Sequence, residues 1–249
     1  MGRDQLKDEK FIAAVRDEFP NVLQRTVLPP EVPLGTPHLV LASSSSQLAF
    51  SATQIDFEVR FYGDLVEDVE QALEYVERKL SSILRGVTAI EGSPVILGLI
   101  GTVHIPFRST ESSPAEHILH THLKTEVDPA LIQDAMARLA VKVRDTYFVT
   151  VTLSNYELRS WTSPPIMPGS MVPIRVRPWD GHVDEVGLEL TVDINNNLEG
   201  YRTQSDPEVT PEGIRSTMSI LRAFTTTVGV PYAESGSLSV DQLEAESLA

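Results

Sequence analysis

The stretch Ile55-Asp56-Phe57-Glu58-Val59-Arg60-Phe61 alternates apolar and charged residues without a break. A two-residue period of this kind fits a strand with one face buried and the other in water, because successive side chains on a strand point to opposite sides. Ile55, Phe57, Val59 and Phe61 are expected inward, with Asp56, Glu58 and Arg60 outward. Directly afterwards the period changes. Leu65, Val69, Ala72, Leu73, Val76, Leu80, Ile83 and Leu84 recur at helical spacing. Gly63 ends the strand, Asp64 is placed to cap the helix, Glu67 completes a capping-box pattern, and Gly86 is placed to terminate it. Such a switch calls for helices packed on sheet.

The rest of the chain continues the alternation of periods. Leu6, Phe11, Ile12, Val15 and Phe19 predict a short amphipathic helix punctuated by Pro20. A connector carrying Pro29, Pro30, Pro33 and Pro37 leads into strand territory at 38–43, a polar turn at Ser43–Ser46, and more strand over 48–62. Residues 95–107 are apolar on both faces around Ile96, Leu97, Leu99 and Ile100. They predict a central strand, with Gly98 and Gly101 marking a bulge or a close backbone approach. Residues 108–128 are less regular. Asp128-Pro129 then opens a predicted helix through Leu131, Ile132, Ala135, Leu139 and Val143. Residues 147–161 and 171–178 read as strands around a break at Pro164, Pro165 and Pro168. Trp179-Asp180-Gly181-His182 reads as a turn, and 186–194 alternates again. Thr210-Pro211 opens a last helix with Ile214, Met218, Leu221 and Phe224 inward, ending near Gly229.

Strands that cluster and pair locally imply an α+β fold, mainly antiparallel, with long amphipathic helices on one face. Residues 1–233 are expected to form a single domain or two intimately packed halves, about 38–108 and 128–230. Residues 54–84 and 189–228 share the order strand, glycine, polar start, helix, as related halves would. Residues 234–249 are acidic and small and are expected to form a flexible tail.

Composition narrows the function classes. With 41% hydrophobic and 22% charged residues the chain has the make-up of a globular protein. Thirty-five acids against 20 bases give a formal charge of −15, a field that repels phosphate backbones and anionic lipid. Neither general nucleic-acid binding nor a membrane surface is therefore expected. The absence of cysteine removes disulfides, thiol nucleophiles and cysteine-ligated metals. A charged N-terminal segment and the lack of an apolar run near ~20 residues point to a cytoplasmic protein. Phosphate-binding glycine loops, nucleophile elbows and HExxH pairs are missing from the sequence.

One pattern-level likeness spans most of the chain. It is carried by Phe19-Pro20-Asn21-Val22, the strands Leu39-Val40-Leu41 and Phe57-Glu58-Val59-Arg60-Phe61, and Ile96-Leu97-Gly98-Leu99 running into His104-Ile105-Pro106. Residues 147–153 and Leu190-Thr191-Val192-Asp193-Ile194 complete it. In these the chain resembles a sporadically distributed bacterial family of about this length with no established function. The resemblance implies a cytoplasmic α+β protein and carries over no catalytic residues.

The densest chemistry is Glu116-His117-Ile118-Leu119-His120-Thr121-His122, which holds three of the six histidines. On a strand His120 and His122 share a side, and on an α-helix His117 and His120 do. Two imidazoles with Glu116, or with His104 from the preceding strand, form a possible donor set for a divalent metal such as zinc. The alternative is a solvated or partner-facing loop. Asp184 and Glu185, with Asp193 further on, offer carboxylates for acid–base or magnesium chemistry, against the expectation that such pairs abound in an acidic protein. Ser43–Ser46 and Asn195-Asn196-Asn197 read as turns. Arg175, Arg177 and Trp179 combine residue types favoured at protein interfaces, or else Trp179 packs at a strand end.

The leading expectation is a non-enzymatic protein-binding or assembly module without a cofactor, acting on a protein partner or on itself, in the manner of a bacterial defence, immunity or toxin-neutralising component. The alternative is a metal-dependent hydrolase on His117, His120 and His122, whose metal would lower the pKa of bound water.

Overall fold

The computed structural model of the chain describes residues 3–29, 31–61, 68–92, 94, 96–110, 113–125, 127–128, 131–144, 146–160, 181–196 and 209–246. Two antiparallel four-stranded sheets with helices make it an α+β protein, as the periodicities predict. The chain divides into two compact units, Met1–Leu97 with Gly200–Arg222 and Gly98–Glu199 with Ala223–Ala249. Among the described residues no helix is long and apolar enough to cross a membrane.

The first unit opens with α1 (Arg3–Val15), followed by strands β1 (Asn21–Arg25), β2 (Leu39–Ala42), β3 (Ser46–Phe50) and β4 (Ile55–Val59). The strands pair in chain order, Leu39 opposite Phe50, Leu41 opposite Leu48, and Leu48 opposite Phe57. In β4, Ile55, Phe57 and Val59 are half-buried, while Asp56 and Glu58 are exposed, which follows from the alternation. β1 is a strand the sequence reading missed, because its five residues are all exposed and leave no two-residue pattern. Helix α2 (Val69–Ala89) follows. Its cap is Asp68, whose side chain accepts from the Gln71 N–H. The expected cap Asp64 lies outside the described residues.

The core of this unit joins Phe11, Val15 and Phe19 to Leu39, Leu41 and Leu48 of the sheet and to Ile83 and Val87 of α2. Leu6, expected on the same face, is half exposed. Gly86 does not end α2. It is buried three residues before the last helical position, and a Cβ there would sit 2.7 Å from both the Phe11 ring and Val15. The glycine is spent on letting α1 approach. Helix α4 (Pro211–Ala223) belongs to this unit through Arg222, and the Arg222 guanidinium holds Glu70 at 2.8 Å.

The second unit is built on β5 (Gly98–Pro106), β6 (Met136–Val143), β7 (Tyr147–Ser160) and β8 (His182–Asn195), in the order β5-β8-β7-β6. One face carries the apolar rows Val103–Leu190–Leu153–Ala137 and Leu99–Ile194–Val149–Val141. The other carries the row Thr102–Thr191–Thr152–Arg138. Helix α3 (Pro114–Ile118), continued as a π-helical turn over Leu119–Leu123, packs on β6, β7 and β8. Helices α5 (Gly229–Ser235) and α6 (Val240–Glu246) pack on β8 and β6 respectively.

Several expectations are corrected here. β5 is an edge strand and not a central one, and Ile100 is 68% exposed. Neither Gly98 nor Gly101 marks a bulge, since β5 keeps unbroken register with β8, and Gly98 has open space around it. The helix expected through residue 143 is strand β6, because Ala137, Leu139, Val141 and Val143 also fit a two-residue period and β-branched residues favour it. The last helix runs past Gly229, first as a π-helical turn over Phe224–Val228 and then as α5, and stops only at Gly236 with φ 72°. The expected tail is helical over α6, where Leu243 is fully buried and Glu244 accepts the Arg144 backbone N–H at 2.8 Å. Of the two strand–helix blocks proposed as related, the second divides between units, β8 in one and α4 through Arg222 in the other.

Replacing Gly86 by alanine tests the α1–α2 contact. Helix propensity favours alanine by about 1 kcal/mol, but the Phe11 ring is stacked on Phe50 with centroids 4.8 Å apart and has little room to give. Overpacking is expected to win, and Gly86→Leu to cost about 1–3 kcal/mol, read as a lower urea midpoint.

Candidate functional site

The histidine motif lies on a helix of mixed pitch. Ser113 caps it, accepting from the Glu116 N–H, and Pro114 occupies the first turn. The π-helical turn then widens the helix, with the Lys124 N–H reaching back five residues to the Leu119 carbonyl. Side chains five apart diverge on an α-helix but come towards one side where the hydrogen bonding is i→i+5. His117 and His122 are thereby brought together, with ring centroids 6.2 Å apart.

Both imidazoles donate Nε2–H to one acceptor, the Ala233 carbonyl, at 2.8 and 3.1 Å. Ala233 is in the last turn of α5, where carbonyls have lost their helical donors and the helix dipole is negative. The Tyr232 ring meets His122 edge-on at 4.9 Å, and Phe107 meets His117 in the same way at 5.8 Å. A Cβ on Gly236 would lie 2.6 Å from the Thr121 carbonyl oxygen, so that glycine permits the two chain segments to touch. The pair is a clasp joining the π-helical turn to the end of α5. These bonds occupy the Nε2 atom of each ring and leave the lone pair on Nδ1.

The remaining expected ligands are dispersed. His120 is exposed and faces Glu116 at 3.6 Å. His104 stands on β5, 3.2 Å from Glu189 and stacked on Tyr156 with ring centroids 4.5 Å apart. Among the described residues no group of three or more His, Asp or Glu side chains is arranged to hold a metal ion. Asp184 and Glu185 do not act as a pair: Asp184 accepts from the Ser160 hydroxyl at 3.0 Å, and Glu185 accepts from the Tyr156 hydroxyl at 2.6 Å. Burial and the Glu185 carboxylate together push the Tyr156 phenol well above its ordinary range. Asp193 is half-buried on the row with Ile100 and Thr150. Asn195 ends β8 and Asn196 is buried beside it. Arg175, Arg177, Trp179 and Asn197 lie outside the described residues.

A polar cluster in the first unit escaped the sequence reading. The Lys79 side chain is 3% exposed, and its ammonium group donates to the Glu18 backbone carbonyl, to the Glu18 carboxylate at 3.1 Å and to Ser43 Oγ at 3.2 Å. Above it the Tyr75 hydroxyl sits 3.0 Å from both Ser43 Oγ and Ser46 Oγ. Burial acts to raise the Tyr75 pKa, but the serine hydroxyls and the Lys79 charge outweigh it and leave the phenol below its usual value. The Glu18 carboxyl is likewise held down by Lys79 and Arg78 against its own burial. Ser43–Ser46 is the hairpin turn expected from sequence, closed by the Ser43 N–H on the Ser46 carbonyl. Only the spacing of Tyr75 and Lys79, one helical turn apart, hinted at the rest. All three ammonium protons have acceptors, so the cluster pins the hairpin to α2 and leaves Lys79 no proton or lone pair for chemistry.

The outer edge of β5 carries unmet backbone bonding capacity. The Phe107 N–H bonds the Val186 carbonyl, so the alternation of an antiparallel ladder directs the N–H and C=O groups of Ile100, Thr102 and His104 away from β8. Among the described residues no backbone group meets that edge. No family model, no curated protein and no solved structure matches the chain.

Two measurements follow from these clusters. Burial, with His117 adding to it, holds the His122 pKa below its ordinary value despite the bond to Ala233. The unfolded chain therefore takes up that proton first as pH falls, so the stabilisation is complete above the unfolded histidine pKa and lost on acidification. The urea midpoint is expected to drop between about pH 7 and about pH 5, and less so in His122→Gln. In the other unit, Lys79→Met strips the buried donor from the Glu18 carbonyl and from Ser43, leaves the Glu18 carboxylate to Arg78, and is expected to cost about 2–3 kcal/mol in a denaturant titration at neutral pH.

Proposed function

We propose that the chain is a protein-binding and assembly module that works by strand addition at β5. The observation that carries this reading is how little guards that edge. Natural sheets protect their edges with charge, proline or bulges. β1 has a bulge at Leu23 and carries Arg25, β4 carries Asp56 and Glu58, and β6 carries Arg138 and Lys142. β5 runs nine residues, Gly98-Leu99-Ile100-Gly101-Thr102-Val103-His104-Ile105-Pro106, without Lys, Arg, Asp or Glu and without a register shift. Proline comes only at its last position.

An extended segment laid along β5 would gain backbone hydrogen bonds at Ile100, Thr102 and His104 and cover the Ile100 side chain. A second copy can supply that segment, since two β5 strands paired antiparallel meet the symmetry of a closed dimer. The acidic charge of −15 spread over the chain keeps such a surface soluble until it finds its mate.

Sedimentation velocity over a range of concentrations tests the reading. The protein is expected to self-associate reversibly, and Ile100→Lys, which puts a charge on the bare edge, to weaken association by at least about tenfold. Thr102→Pro, which removes an outward N–H, is expected to do the same. Identical sedimentation of the parent protein and both variants would exclude β5 as the contact.

A further inference from the structure

The C-terminal half of α2 and the start of α4, both in the first unit, border an open cleft of about 470 Å³. The two helices are tied at the other end by Arg222 and Glu70, 2.8 Å apart. The cleft presents Leu84 and Ala89 from α2 and Pro211 and Ile214 from α4 as its apolar lining. Ser81, Arg85 and Thr88 lie along one side, three and four residues apart on α2 and therefore on one face of that helix.

The charges around it are uneven. On α4, Glu212 is engaged by Arg215 at 2.8 Å. Arg85 has no acidic partner among the described residues, although acids outnumber bases 35 to 20 in the chain. The Thr88 hydroxyl donates to the Leu84 carbonyl, while the Ser81 hydroxyl has no partner among the described residues. An unneutralised guanidinium and a free hydroxyl thus stand beside an apolar surface, in a volume that falls within the range of small-ligand sites.

We infer that this cleft binds a small amphipathic carboxylate, its head group on Arg85 and Ser81 and its apolar body against Leu84, Ala89, Pro211 and Ile214. A guanidinium meets a carboxylate with two parallel N–H donors, which sets the head-group class. An apolar body is required because the lining opposite Arg85 offers a ligand little to hydrogen-bond. This site belongs to a different unit from β5 and stands independently of the assembly reading.

Isothermal titration of the full chain with decanoate tests it, with acetate and decylamine as the head-only and opposite-charge comparators. Decanoate is expected to bind at one site per chain, and the two comparators to bind far more weakly. Arg85→Gln should weaken decanoate by at least about tenfold, with partial recovery in Arg85→Lys. Ala89→Trp, at an exposed position, should abolish binding by filling the cleft while circular dichroism stays unchanged. Absence of decanoate binding up to its solubility limit, equal binding of decylamine, or an unchanged affinity in Arg85→Gln would each overturn the assignment.

Discussion

The first unit depends on one buried ammonium group. Lys79 gathers the carbonyl and carboxylate of Glu18, at the turn after α1, and the Ser43 hydroxyl of the β2–β3 hairpin. A charge so deeply buried is tolerated only when its donors are matched, because an unpaired buried ion costs several kcal/mol. The ammonium also lies 4.5 Å from the centre of the Phe19 ring and 5.0 Å from that of Tyr75, so the aromatic faces help replace lost water. The β2–β3 hairpin also shares a buried apolar cluster with α2, Leu41 and Leu48 with Ile83 and Val87. The Lys79 contacts fix where it sits.

Glycines show how local signals and tertiary packing divide the work. Gly86 and Gly229 look like helix stops in the sequence, yet both lie in helical backbone. Each is a place where a side chain would collide, with Phe11 and Val15 in one case and with the Phe224 carbonyl and Leu190 in the other. The true stop is Gly236, whose positive φ excludes most other residues. Gly187 belongs to the first kind: a Cβ there would press on the Ile105 carbonyl oxygen and stand 2.9 Å from the Tyr156 ring that lies across it. A one-dimensional reading sees the residue type but not which neighbour requires it.

The histidine motif was conspicuous in the sequence, but its arrangement was not. Strand geometry pairs His120 with His122 and α-helical geometry pairs His117 with His120. The π-helical turn pairs His117 with His122 instead and aims both at a carbonyl contributed more than a hundred residues later. The Lys79 cluster was hidden for a related reason, since its members come from three segments, the turn after α1, the β2–β3 hairpin and α2, and each looks ordinary alone. The β5 edge was misread because its apolar residues on both faces imitate a central strand. Edge and centre differ only in what lies alongside.

Sequence by itself determined the periods, and with them the α+β class, the alternating faces of β4 and β8, the hairpin turn at Ser43–Ser46 and the long amphipathic helix α2. These are properties of residues within a few positions of one another, set by sterics and by which side meets water. Tertiary structure alone decided the strand order, the exposure of β5, the fate of the 128–143 segment and the partners of Lys79, His117 and His122. In each of these the sequence was compatible with two local geometries. Contacts formed by distant parts of the chain selected one, because burial and hydrogen-bond matching outweigh the small difference in local propensity.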